Sequence, residues 1–470
     1  MKLTVGEILI ATGGRLQKGA FDAVVAGVST DSRTLRGGEA FVALKGEKHD
    51  AHDHLAEVAK KGAAAVVVAA DVPADVSGDI ANVVRVDDTL KALGDLARYW
   101  RRKFDIPVVG VTGSNGKTTA KDLIAAVLGV RYRVFKTEGN FNNLVGLPLT
   151  VFRMRGDEDV AVLEMGMNRL GEIDRLAEIA GPDVAVITTV ARAHLEGLGH
   201  LSNVARAKGE ILDHLPCGGL AVLPADNVYF DVLQEKARRR GARVVGFGEG
   251  KNAGVRAVSA RVEGLSAVGF EARWDGGRGS FRLSAAGRHN VWNALAALAV
   301  GVHFQVPVAG IQKAMARFQT GAKRMEIVSV GREIDVINDC YNANPDSTIA
   351  SLGFLRDFGR WRKHRRTVAV IGEMLELGKF SKSLHAEVGR AAAKSGVSLL
   401  VAVGPHAEDM ASAARRAGLG RDRTFAFANA QDAMPLVKSV LRNGDVVLVK
   451  GSRGMKMERI TEGLEQERTF

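Results

Sequence analysis

Cysteine is nearly missing: Cys217 and Cys340 are the only two in 470 residues, and they stand far apart. They offer no disulfide framework and no C-x-x-C metal pair, and they suit a reducing cytosol. Long apolar runs are missing too. No stretch reaches the roughly 18 residues a membrane span needs. The N-terminal M-K-L-T-V-G-E-I-L-I-A-T-G-G carries Glu7 and lacks the unbroken apolar core of a secretory signal. A soluble, cytoplasmic chain with at most peripheral membrane association is expected. Internal repeats, low-complexity tails, zinc-finger spacing and aromatic-rich single-strand platforms are also wanting.

What is present is a glycine-rich, globular composition, with 54 glycines, 46% hydrophobic residues and a net charge of +12. The length predicts two to four domains. Basic clusters stand at Arg101-Arg102-Lys103, at Arg238-Arg239-Arg240 and along F-G-R-W-R-K-H-R-R, residues 358–366. They would suit nucleic acid. With no recognition motif beside them, solvated faces that attract anionic small molecules are the better reading, and no nucleic-acid partner is expected.

Residues 24–86 read as short strands with one helix beginning near His54. A helical pattern, T-L-K-A-L-G-D-L-A-R-Y-W-R-R-K-F, then runs to Pro107. There I-P-V-V-G-V-T reads as a buried strand, and apolar strands from Val160, Val184 and Leu220 each precede a helical pattern. This β-α alternation predicts a mostly parallel sheet covered on both faces. Between residues 255 and 283 short alternating strands predict an antiparallel flap or edge. From about Ala322 a second doubly wound unit follows, without G-x-G-x-x-G after its first strand, so no dinucleotide is indicated. The fold class is α/β in three domains, 1–105, 106–321 and 322–470.

The chemistry centres on G-V-T-G-S-N-G-K-T-T, residues 110–119. It departs from G-x-x-x-x-G-K-[ST], because Val111 stands where the first glycine belongs. The strand before it, the helix after it and the intact G-K-T-T still predict a nucleotide site. Gly113, Ser114, Asn115, Gly116 and Thr119 would wrap phosphate with backbone N–H groups. Lys117 would meet the terminal phosphates, and the Thr118 hydroxyl a Mg²⁺ ion. Glu164 closes V-A-V-L-E, where a carboxylate either meets a cation or simply reaches solvent. His194 follows the next strand and, taken alone, is more often structural than a ligand. Lys208 reads by default as a surface lysine. Asp339 ends another apolar strand and precedes C-Y-N-A-N-P-D-S, a polar turn suited to binding.

Together these residues resemble the Mur ligase family, ATP-dependent amide-forming enzymes of peptidoglycan precursor synthesis. The T-G-S-N-G-K-T-T loop looks like that family's own phosphate loop, which makes Val111 the last buried strand residue rather than a defect. The resemblance runs through S-T-D-S-R, F-V-A-L-K-G, E-G-N-F-N-N-L-V-G-L-P-L-T, L-E-M-G-M-N, A-H-L-E-G-L-G and A-K-G-E-I. It continues through G-R-H-N-V-W-N-A, K-R-M-E, Y-N-A-N-P-D-S, I-G-E-M-L-E-L-G and K-G-S-R-G-M.

The resemblance implies ATP and Mg²⁺ as cofactors, and UDP-MurNAc-tripeptide and D-alanyl-D-alanine as the partners joined, on a chain expected to be a monomer. It implies metal contacts from Thr118, Glu164, His194 and a carbamylated Lys208. Lys117, Lys208 and His194 would be the catalytic set. Asn290 and Asn293 would lie on the adenine side, with Arg324 and Asp339 on the nucleotide from the third domain. Ser32, Arg33, Lys45, Asn140, Asn142, Asn143, Tyr341, Asn342 and Asn344 would hold substrate. A third-residue-adding or folylpolyglutamate-type ligase is the nearest alternative, and a non-catalytic nucleic-acid-binding protein the remote one. One departure stands out: Asp50-Ala51-His52 replaces the family's D-G-H, so a turn needing positive φ would be altered there. The basic run at residues 360–366 is expected either as a solvated loop or as a patch for an anionic membrane surface.

Overall fold

The computed structural model describes residues 1–72, 79–331, 333–361 and 365–466. Three main sheets organise the chain, and each draws its strands from one stretch of sequence.

The first sheet is ordered Arg15–Lys18, Val83–Arg85, Ala65–Val68, Ala40–Val42, Val28–Ser29, parallel except for its first pair. Ala51 shows no positive φ, for it opens a short 3₁₀ turn, Ala51–His54, capped by the Asp50 side chain. Alanine fits this turn without strain, because the backbone here asks for no positive φ.

The second sheet has nine strands, ordered from Gly277–Leu283 through Val268–Trp274, Val255–Val262, Arg243–Gly248, Leu220–Pro224, Val184–Ile187, Val108–Thr112 and Val160–Glu164 to Val134–Lys136. Its last seven strands run parallel; the residue 255–283 segment extends the same sheet as an antiparallel edge. Val108–Thr112 is fully buried, pairing on one side with Val160–Glu164 and on the other with Val184–Ile187. Such a fork in strand order opens a crevice at the carboxyl ends, which is where doubly wound sheets bind ligands. Val111 sits opposite Glu164 and Val186; the strand ends at Thr112, as I-P-V-V-G-V-T predicts, and the buried Thr112, not Val111, is its last buried residue.

The third sheet is ordered Glu326–Val330, Ile334–Asp339, Val446–Lys450, Thr367–Gly372, Leu399–Val403, Thr424–Phe427. Only its first pair is antiparallel. Of the basic run, Arg365 and Arg366 are described with their partners. Arg365 pairs with Asp335 and Arg366 with Asp445, within this unit. Residues 362–364 and the side chains of Arg360 and Trp361 lie outside the description. Among the described residues no helix is long and apolar enough to cross a membrane.

Candidate active site

The phosphate loop leaves Val108–Thr112 and enters the helix Lys117–Leu128. Two glycines make this turn possible. Gly113 has φ +142, and a Cβ there would lie 2.0 Å from Thr188 Oγ1; Gly116 has φ +79, and its Cβ would lie 2.4 Å from Asn293 Oδ1. Neither position tolerates a side chain. Ser114 turns its hydroxyl to the Ala191 carbonyl at 3.1 Å, and the Lys117 ammonium donates to the Gly113 carbonyl at 2.7 Å.

The loop faces a cavity of about 610 Å³ walled by the second and third sheets' units. Of the residues singled out from sequence, Ser114, Asn115, Gly116, Lys117, Thr118, Thr119, Asn140, Asn142, Asn143, Glu164 and His194 line it from the central unit. Asn290 and Asn293 also line it, and Arg324, Asp339, Tyr341, Asn342 and Asn344 face them from the C-terminal unit. Residues spread from 114 to 344 thus converge on one space. Gly113 contributes its carbonyl from just behind the wall.

Ser32, Arg33 and Lys45 do not join them. Ser32 Oγ donates to Glu57 at 3.1 Å, Arg33 pairs with Asp31, and Lys45 pairs with Asp50, all on the N-terminal unit.

The acidic side is held firmly. Glu164 is 1% exposed; its Oε1 accepts from Asn142 at 2.7 Å, while its Oε2 finds no hydrogen-bond partner among the described residues. Lys208 is wholly buried, and its Nζ also has no hydrogen-bond partner. The surface-lysine reading fails because the helix Leu201–Gly209 is covered on this face. Burial, and then the positive Lys117 nearby, push the Lys208 amine well below its ordinary range. Burial likewise lowers the His194 imidazole, whose Nδ1 lies 2.7 Å from Glu376 Oε2 without the alignment of a hydrogen bond.

Among the described residues no three His, Cys, Asp or Glu side chains gather as metal ligands. Of the residues expected to meet a cation, Thr118, Glu164 and His194 line the cavity, whereas Lys208 lies buried outside its lining. Two buried, unpartnered polar atoms, one a carboxylate oxygen and one an amine, are costly unless a further group satisfies them.

The third unit closes the cavity with polar contacts. Arg324 Nη2 donates to Thr118 Oγ1 at 2.8 Å and stacks its guanidinium over Tyr341 at 3.6 Å. Asn344 Nδ2 donates to Asn115 Oδ1 at 2.7 Å. Asp339 is occupied inside its own unit by Lys450 at 2.7 Å and Ser351 at 2.9 Å.

Among the residues that escaped the sequence reading, four bear on how this site is held. Lys121, 2% exposed, donates to the Thr137 carbonyl at 2.7 Å, and Thr137 Oγ1 in turn accepts from the Glu164 backbone N–H at 3.0 Å. Its signal was its place, one helical turn after Lys117 on an apolar face. Glu376, from I-G-E-M-L-E-L-G, has φ +62 and reaches His194 across the seam. Arg192 clasps Asp346 and Glu387. No sequence signal marked Arg192.

Comparison with known proteins agrees with this geometry. The Mur ligase family catalytic domain matches residues 24–101, the Mur ligase middle domain residues 111–301, and the Mur ligase glutamate ligase domain residues 323–453. The chain is 36% identical over 467 residues to the UDP-N-acetylmuramoyl-tripeptide–D-alanyl-D-alanine ligase of Bacillus subtilis, covering 99% of this chain and 98% of that one. It is 34% identical to the ligase of the same name from Escherichia coli, with 100% of each chain covered. A crystal structure of MurF from Acinetobacter baumannii superposes with a TM-score of 0.90 at 31% identity, covering 99% of each chain. The MurF ligase of Thermotoga maritima in complex with ADP superposes with a TM-score of 0.80 at 28% identity, covering 94% of this chain and 97% of that one. A fold, a phosphate loop and full-length likeness that agree from end to end leave one conclusion: this chain belongs to the Mur ligase family.

Proposed function

We propose that this chain is an ATP-dependent amide ligase that joins D-alanyl-D-alanine to UDP-MurNAc-tripeptide, forming the UDP-MurNAc-pentapeptide precursor of peptidoglycan. The observation that carries this is the single cavity in which the phosphate loop faces Arg324, Asn342 and Asn344 across the seam. The names of its full-length relatives supply the substrates, and the ADP-bound relative supports ATP use.

In the reaction, the tripeptide's terminal carboxylate oxygen attacks the γ-phosphorus and ADP leaves. The dipeptide's amine nitrogen then attacks the acyl carbon, loses its proton, and phosphate departs. Loop N–H groups from Gly113 to Thr119 cradle the phosphates, and Lys117 exchanges the Gly113 carbonyl for a phosphate oxygen. Asn290 and Asn293 support the adenine side, with Arg324 and Asp339 reaching the nucleotide from the third unit. The N-terminal unit, through Ser32, Arg33 and Lys45, holds the nucleotide-sugar, and Asn140, Asn142, Asn143 and Tyr341 bind nearer the reacting end.

Mg²⁺ would be held by Thr118, Glu164, His194 and carbamylated Lys208, and would neutralise charge on the transferring phosphoryl group. The fit of these donors rests on the orphan Glu164 Oε2 and Lys208 Nζ. Burial that lowers the lysine's basicity favours its neutral amine, the form that adds CO₂ to become an anion. The division at 105/106 and 321/322 belongs to the same proposal and is supported by each sheet closing within one span. So do action as a monomer and a cytoplasmic setting, the latter supported by the scarcity of cysteine.

The test is a substrate panel with mass detection of the UDP-linked pentapeptide. ADP release with D-alanyl-D-alanine should require UDP-MurNAc-tripeptide; release driven instead by folate and glutamate overturns the reading. Lys117→Ala should abolish product in a chain with an unchanged circular dichroism spectrum, and retained turnover would remove the loop from the mechanism.

A further inference from the structure

Arg192 stands on the loop between the strand Val184–Ile187 and His194, and its guanidinium is shared between two helices of the C-terminal unit. Nε and Nη2 donate to Asp346 Oδ1 at 3.1 and 2.6 Å, and the Arg192 backbone N–H donates to Asp346 Oδ2 at 2.7 Å. Nη1 and Nη2 donate to the two oxygens of Glu387 at 2.7 and 3.0 Å. Asp346 lies in the first turn of the helix Pro345–Trp361, two residues after the Asn344 that meets Asn115; Glu387 lies on the helix Ser381–Lys394. A planar fork that engages two carboxylates fixes orientation as well as distance, which a lysine cannot do.

On its other side Arg192 is one residue from the phosphate loop's own anchor. Ser114 donates through Oγ to the Ala191 carbonyl, accepts from the Ala191 N–H at 3.0 Å, and sends its backbone N–H to the Thr189 carbonyl at 2.8 Å. A displacement of Ser114 would be passed through these bonds to Ala191, and Ala191 carries Arg192.

We propose that Arg192 is a positioning residue that couples the phosphate loop to the seating of the C-terminal unit, holding the Asn344–Ser347 turn where the acceptor substrate must bind. The chain of contacts runs Ser114, Ala191, Arg192, then Asp346 and Glu387. It rests, for its kinetic consequence, on the activity proposed above.

The experiment uses the full chain with Arg192→Met, Arg192→Lys and Glu387→Gln, the last lying outside the cavity. X-ray scattering, with and without a non-hydrolysable ATP analogue, reads how the units are seated; steady-state kinetics reads the acceptor. Arg192→Met should enlarge the radius of gyration without nucleotide. It should raise KM for D-alanyl-D-alanine about tenfold while largely sparing kcat, since substrate must then draw the unit into place. Glu387→Gln should shift both readouts in the same direction by less, and Arg192→Lys should fall between wild type and Arg192→Met. The double variant Arg192→Met/Glu387→Gln should be no worse than Arg192→Met alone. Wild-type scattering and KM in Arg192→Met overturn the proposal, as does a Glu387→Gln variant that is wild type in both. If Arg192→Met folds poorly, Glu387→Gln and Arg192→Lys decide by the same criteria. A wild-type chain that never ligates, yet shows the scattering difference, condemns the assigned activity and leaves the coupling standing.

Discussion

Asp31 shows how firmly one side chain orients its neighbour Arg33, which is proposed above to hold the nucleotide-sugar. Its carboxylate takes the Arg33 Nε at 2.9 Å, the Arg33 Nη2 at 2.7 Å and the Arg33 backbone N–H at 2.9 Å. Those bonds, the side-chain pair first, bring its pKa from the ordinary 3.8 to about 2. A carboxylate depressed on folding stabilises the fold fully above its unfolded pKa, and that contribution fades as the pH falls through the folded value. Carbon-detected NMR should accordingly place the Asp31 midpoint near 2. In Arg33→Met it should return toward the ordinary value, and a midpoint that stays put would dissociate Asp31 from Arg33. Legibility at this scale was uneven. Gly113 and Gly116 could be read because only glycine survives their φ and their neighbours Thr188 and Asn293. Lys208 could not, since a helix's own periodicity does not reveal what a second layer covers.

Among the elements, the strand Val160–Glu164 is aimed by a side chain on a different one. Lys121, on the helix after the phosphate loop, donates to the Thr137 carbonyl; Thr137 accepts from the Glu164 N–H; Asn142 donates to the Glu164 carboxylate. Lys121→Met would keep the stem's packing and leave the wholly buried Thr137 without its charged donor. Losing a hydrogen bond from a charged group costs about 2 kcal/mol. Urea unfolding should register that loss, and the Mg²⁺ concentration for half-maximal turnover should rise several-fold. An unchanged metal requirement would show that Glu164 is aimed without this relay. The elements themselves were largely legible, since strands at Val160, Val184 and Leu220 and the helix at Lys117 lie where apolar runs and glycine punctuation put them. The extra edge strand Glu326–Val330 was missed because its residues are only half-buried and carry no clean alternation.

Across the whole molecule the two seams differ in kind. The helix Thr89–Arg101 joins the N-terminal unit to the central one, burying Leu93, Leu96 and Trp100 in a common core with Ile173, Leu176 and Ile179. Arg175 bonds Asp95 at 2.6 Å along that edge. The seam to the C-terminal unit has a smaller apolar contact, with Leu195 and Leu377 in a shared core. Most of its named links are polar: Arg324 to Thr118, Asn344 to Asn115, Arg192 to Asp346 and Glu387, and Glu376 to His194. Of the second seam only the approach of Arg324 to the phosphate loop was expected; Arg192 and Asp346 could not be read, because they are 154 residues apart and nothing local marks them as partners. Apolar burial is indifferent to salt, whereas partly exposed ion pairs are screened over about 3 Å at 1 M ionic strength. Raising KCl to about 1 M should therefore loosen only the second seam. Hydrogen exchange should rise at residues 189–194 and 342–347 while residues 89–101 stay protected, and an ATP analogue should restore the protection. Exchange that rises first along residues 89–101 would place the mobile joint at the other seam, and the polar contacts around the phosphate loop would then be the fixed part of the molecule.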